Sequence, residues 1–140
     1  MSENHDLSRF LEAQEDVYPR AVEELKNGQK QSHWMWFIFP QLKGLGSSPT
    51  AETYAIQDLD EARAYWQHPV LGKRLIECSR LVMQVNDKNI KEIFGYPDYL
   101  KLNSCMTLFR QVSDEPVFKE VISKHFDNRE DNKTLELLNI

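Results

Sequence analysis

Two stretches of this chain hold side chains suited to gripping a small polar molecule. The first contains His33, Trp34, Trp36, Gln41 and Lys43, followed by a Gly/Ser-rich loop over residues 44–48 that includes Ser47. Indole and imidazole faces stack on flat rings or sugars, and amide and ammonium groups hold polar or anionic edges. A Gly/Ser loop entering a helix at Pro49 can offer backbone N–H groups to a phosphate or carboxylate. The second stretch supplies Lys101, Asn103 and Ser104. Residues 25–51 contain no acid, and neither do residues 99–113. Should these two runs face one another, they would form a neutral-to-positive aromatic cleft on a chain of net charge −5. The leading expectation is therefore binding of a small polar or anionic ligand, with nucleotide-like metabolites among the candidates. If the site turns over a substrate, hydrolysis or group transfer assisted by His33 or His68 is the least strained chemistry. Lys43 or Lys101 would then stabilise negative charge.

Other readings predict different geometry. A protein-interaction module would expose the Trp-rich segment, residues 33–45, as a flat apolar patch. A ligand site would be concave and lined with polar groups. A purely structural segment would bury both Trp34 and Trp36. His68 stands before Pro69, where it reads first as a helix-junction residue whose ring bonds a backbone group. His5, His33, His68 and His125 lack the spacing of a metal site, and no metal or cofactor is expected. Asp127, Glu130 and Asp131 read as a solvated acidic turn, lacking the order of a calcium loop. The chain has no GxxxxGK[ST], GxGxxG or GxSxG string, which disfavours P-loop, Rossmann and α/β-hydrolase chemistry.

Composition narrows the class. The chain has 140 residues, of which 41% are hydrophobic and 28% charged, as in an ordinary folded domain. A single domain spanning residues 1–140 is expected, with residues 1–5 as a disordered tail. The acidic balance disfavours nucleic acid as a partner. The longest apolar run, residues 34–39, is far short of the roughly 20 needed to span a bilayer, so no membrane partner is expected. The polar, acidic start lacks a secretory signal, and Cys78 and Cys105 show no metal spacing; together these predict a reduced, cytoplasmic setting. Cys78 lies on an apolar stripe, and nothing near Cys105 in sequence activates it as a nucleophile.

The elements that must position these groups read as all-α, about seven to nine short helices. Asp6 or Ser8 can cap a first helix and Asp16 a second that carries Pro19 in its first turn and stops at Asn27-Gly28. The apolar run 34–39 reads as a short helix capped by Ser32 and ended before Pro40. Ser48-Pro49 and Asp58 open two more helices, and His68-Pro69 ends the second. Leu71, Leu75, Cys78, Val82 and Val85 recur at steps of three or four, a strong amphipathic pattern. Asp87 can cap a short helix closed by Gly95. A helix with an irregular first turn around Asn103-Ser104 follows, then helices beginning at Asp114 and Asp131. No alternating strand pattern and no internal repeat is present.

Four strings in the chain are specific. SHWMWFIFPQLKGLGSS (32–48), YAIQDLDEARAYWQHPVLGKRL (54–75), IFGYPDYLKLNSCMTLF (93–109) and DNKTLELL (131–138) resemble the bacterial family catalogued as domain of unknown function 1810. The resemblance spans residues 6–138 and implies a compact, mainly α-helical single domain. It implies no catalytic role for any residue. Some members are labelled calpastatin, a label at odds with this composition, which is not that of an extended disordered inhibitor. The chain departs from the pattern at Trp66, where Leu is commoner, at Asn103, where a basic residue is expected, and at Asp127-Asn128, where Gly is expected.

Overall fold

Residues 8–26 form one helix, α1 (Ser8–Lys26), where the sequence predicts two. Pro19 sits inside it on an exposed face, so the carbonyl that loses its N–H partner can turn to water. Asp16 is therefore a mid-helix residue and not a cap. The predicted stop holds: Gly28 takes a left-handed φ of 72° and its N–H bonds the Leu25 carbonyl.

The structure is a computed structural model that describes residues 6–140; the tail expected at residues 1–5 lies outside the described residues. Eight further helices follow: α2 (Met35–Ile38), α3 (Pro49–Thr53), α4 (Leu59–Gln67), α5 (Leu71–Gln84), α6 (Ile90–Phe94), α7 (Asp98–Arg110), α8 (Pro116–Phe126) and α9 (Asn132–Leu138). Among the described residues the one extended pairing is a parallel bridge between Leu42 and Ile56. The all-α expectation is met.

The amphipathic stripe predicted for α5 is buried at Leu71, Leu75, Cys78 and Val82. This helix packs against α1, α4 and α8, while α7 packs against α4, α6, α8 and α9. Aromatic rings fill the space between them. Tyr65 meets Phe10 edge-on at 5.1 Å and Phe109 at 5.3 Å, and Phe109 continues to Phe118 at 6.2 Å. Both ends of α5 are finished by side chains from neighbouring segments. His68 Nδ1 accepts the Val70 and Leu71 N–H groups at its start. At its end, Lys124 Nζ donates to the Met83 and Val85 carbonyls.

Several caps fall one or two residues from their predicted places. Asn89, not Asp87, caps α6, in a reciprocal box with Glu92. Glu115, not Asp114, caps α8 ahead of Pro116. The first turn of α7 is regular; Ser104 Oγ lies 3.2 Å from the Leu100 carbonyl. Asp127 and Asn128 both adopt positive φ, 55° and 63°, the conformation that makes glycine the natural residue of that turn.

Ser32 does not cap α2. Its hydroxyl donates instead to Glu24 at 2.6 Å, and this buried carboxylate is the anchor of the whole segment. Glu24 also accepts the Gln31 N–H at 2.7 Å, the Ser32 N–H at 3.0 Å and the Trp34 indole N–H at 2.9 Å. At the other end of α2, buried Gln14 donates to the Phe37 carbonyl at 2.7 Å and is itself held by Arg74. Burial alone pushes the Glu24 carboxyl up, but the four donated bonds outweigh it and hold the group down at about 2.

The depressed value has a pH consequence. Folded Glu24 stays ionised to about 2, whereas the unfolded group takes up its proton near the ordinary 4.5. Its stabilisation is therefore complete above about pH 5 and is lost as pH falls toward 2. Glu24→Gln should lower Tm at pH 7 by roughly 10 °C, since a charged acceptor of several buried donors is removed. The gap between wild type and variant should close as melts are recorded from pH 5 down to pH 2. A gap constant over that range would show that the charge of Glu24 contributes nothing.

Candidate functional site

The loop anchored by Glu24 leads into α2, and α2 presents Trp36 at one wall of a cleft of about 470 Å³. The same wall continues through Gln41 and the loop residues Leu45, Gly46, Ser47 and Ser48. Pro97, Leu100, Lys101 and Ser104 reach it from the start of α7, and Asp131 and Lys133 from the start of α9. The two acid-free runs of the sequence thus meet here. Five of the expected ligand-binding residues come together: Trp36, Gln41, Ser47, Lys101 and Ser104.

The others do not join them. Trp34 is fully buried, its indole N–H committed to Glu24 and its ring packed on Phe39 and Phe94, so it is a core residue with no face for a ligand. His33 is exposed in the segment between α1 and α2 and does not line the cleft. Lys43 is absent from the cleft lining; it lines a second hollow of about 420 Å³ with Asp58 and Asp60, and a small crevice beside Trp36 and Gln41. The bridge that pins it, Lys43 N–H to Ile56 O at 2.8 Å, fixes its backbone there. His68 is occupied as the cap of α5, the junction role read from its place before Pro69, and does not reach the cleft. The start of α3 is not an open set of donors either, because the Ser48 hydroxyl accepts the Ala51 N–H.

Electrostatics at the cleft are set by an ion-pair chain that sequence reading missed. Lys30, nearly buried, donates to the Ser32 carbonyl and pairs with Asp98 Oδ2 at 2.8 Å. Asp98 Oδ1 lies 3.2 Å from Lys101 Nζ. The Lys101 ammonium stands 4.7 Å from the centroid of the Trp36 ring, and Lys30 stands 5.1 Å from that of Trp34. Lys101 is therefore held at the cleft by an aromatic face on one side and a carboxylate on the other. Lys133 and Asp131 were also missed as site residues. Asp131 reads from sequence as a cap, which it is: its Oδ2 accepts the Thr134 N–H at 3.0 Å. Its membership in one of the four specific strings was the available signal. The cleft lining consequently holds two lysines and one carboxylate, an acid that the two acid-free runs did not announce.

Among the described residues the cleft lining holds no histidine and no cysteine. Burial pushes the Cys78 thiol up to about 12 and the Cys105 thiol well above its usual range, which leaves both protonated at neutral pH. No group of three or more potential metal ligands occurs among the described residues, and His5 lies outside them. No helix among the described residues is long and apolar enough to cross a membrane.

Comparisons agree on kinship. A family model described as a protein of unknown function, DUF1810, matches residues 4–138. The chain is similar to the conserved hypothetical protein Rv1873 from Mycobacterium tuberculosis, whose crystal structure is 53% identical in sequence. That match has a TM-score of 0.95 and covers 96% of this chain and 97% of the other. No curated protein matches it.

The ion-pair chain yields a stability test. Asp98→Ala leaves the nearly buried Lys30 ammonium without its carboxylate and should cost about 3 kcal/mol in urea unfolding. Lys101→Ala removes the more exposed partner of the same carboxylate and should cost less than about 1 kcal/mol. Equal losses would show that Lys30 does not depend on Asp98.

Proposed function

Because this chain belongs to the DUF1810 family, which comes with no activity attached, we propose its function from the cleft itself: it binds a small anionic metabolite, nucleotide-like compounds included. The observation that carries this reading is the meeting of the two acid-free runs in one concavity, with Lys101 and Lys133 in its lining. Its volume, about 470 Å³, falls within the usual range for small-molecule sites. The lining combines apolar surface from Trp36, Leu45, Pro97 and Leu100 with a few polar groups, the mixture that orients a ligand. Concavity favours a ligand over a docking protein. Of the Trp-rich segment, Trp34, Met35, Ile38 and Phe39 are buried, which leaves little flat aromatic surface for a partner. With His33 and His68 away from the lining, the reading is one of binding, with no general base assigned. Two cysteines left as free thiols support a cytoplasmic setting.

A thermal-shift panel of nucleoside monophosphates, sugar phosphates and small carboxylates tests this. A ligand at about 100 times its Kd stabilises by roughly 2.7 kcal/mol, on the order of 5 to 10 °C for a domain of this size. The shift should vanish in the double variant Lys101→Gln, Lys133→Gln and persist in His33→Ala and Lys43→Ala. No shift across the panel, with a cooperative melt retained, would overturn the reading.

A further inference from the structure

The cleft reading leaves one feature unused, and the inference drawn from it rests on that reading. A site shaped only for an anion gains nothing from a carboxylate in its wall, since like charge repels. Yet Asp131 lines the cleft together with Lys101 and Lys133. Its two oxygens differ. Oδ2 accepts the Thr134 N–H at 3.0 Å and the Thr134 hydroxyl at 2.5 Å, and lies 3.1 Å from Ser104 Oγ. The Asp131 N–H in turn donates to Thr107 Oγ1 at 2.8 Å. These bonds lock the side chain between α7 and α9. Oδ1 takes none of them and has no hydrogen-bond donor among the described residues. The cleft lining therefore holds a fixed carboxylate with one uncommitted oxygen alongside two lysines.

We propose that the ligand is a phosphorylated sugar unit, its phosphate held by Lys101 and Lys133 and one of its hydroxyls donating to Asp131 Oδ1. A dianion suits two ammonium groups. A neutral donor suits the carboxylate, because a ligand ammonium would meet the same two lysines as like charges. One face of Trp36 is already covered by Lys101, so that ring seats the ammonium and leaves only its other face to a ligand. The shared chemistry is a sugar phosphate, whether free or as the ribose phosphate of a nucleotide.

Calorimetric titration of the full chain with ribose 5-phosphate, AMP and inorganic phosphate tests the proposal in wild type and Asp131→Asn. Asparagine caps a helix as well as aspartate. It keeps one acceptor oxygen for Thr134, removes the charge and places an amide donor where the other oxygen was. Asp131→Asn should weaken ribose 5-phosphate by about tenfold, the loss of one charge-assisted hydrogen bond. It should tighten inorganic phosphate severalfold by removing repulsion. These opposite changes are the signature, since a merely structural role for Asp131 would move both probes the same way. Parallel changes, or none, overturn the sugar-hydroxyl contact while leaving the anion site standing. Failure of every probe to bind wild type overturns both. AMP binding at least about tenfold tighter than ribose 5-phosphate would identify the nucleotide as the source, and equal affinities the free sugar phosphate, each in keeping with the proposal.

Discussion

The buried, ionised carboxylate of Glu24 sets where the cleft's first wall can be. Burying it costs desolvation, and the four donors it collects are what offset that cost. Those donors come from Gln31, Ser32 and Trp34, just before α2, so satisfying Glu24 and placing α2 are one event. Trp34 is drawn into the core by its indole N–H, and Trp36, two residues on, emerges at the cleft. Gln14 closes the other end of the same short helix through the Phe37 carbonyl. A four-residue helix has little stability of its own. This one is defined by two buried polar side chains on α1: Glu24 takes its donors from the segment that leads into it, and Gln14 donates to its Phe37 carbonyl.

The same economy governs the charges at the cleft. Lys30 follows the end of α1 and Asp98 begins α7, and their contact ties the segment before α2 to the opposite wall. Asp98 shares its second oxygen with Lys101, so the ammonium offered to the cleft is positioned but not fully neutralised. An incoming anion would meet a cation already oriented by Trp36, which reduces the ordering that binding must impose. Across the cleft lining, Asp131 would limit how much negative charge a ligand could bring. In the proposed site, selectivity would come from the balance between cations and one carboxylate, and not from positive charge alone.

Local structure was largely legible in the sequence because it is governed by local rules. The α5 stripe, the Ser48-Pro49 and Asp131 starts, the Gly28 and Gly95 stops and the His68 junction all follow from spacing and capping chemistry. Where local rules left a choice, tertiary context made it. Pro19 could sit in the first turn of a second helix or ride the exposed face of one long helix, and packing of Phe10, Ala21 and Leu25 on one side decided for a continuous α1. Ser32 could cap α2 or satisfy Glu24, and the buried charge won. The candidate site was half legible. The acid-free runs announced both halves of the cleft, but which aromatic would face it depended on the partner of each indole. Trp34 and Trp36 are indistinguishable by type and separated by one residue; only the position of Glu24, ten residues earlier, tells them apart. Lys133 and Asp131 lie in an acidic-looking tail, and nothing local marks them as neighbours of Lys101.

One feature of α9 shapes how the site exists in time. This helix contributes Asp131 and Lys133 to the cleft, yet of its own seven residues only Thr134 is buried. It is held by the Thr107 and Ser104 contacts to Asp131, by Leu138 against the core and by Leu137 lying over Gly44. An element with so few buried apolar groups opens at a small fraction of the free energy of global unfolding. Were α9 to open locally, a cation and the carboxylate would leave the cleft together and the aromatic core would stay intact. The strength with which any ligand of the cleft would be held would then scale with the fraction of time α9 is docked, and its occupancy would be written into the amide protection of a helix on the far side of the chain from Glu24 in sequence.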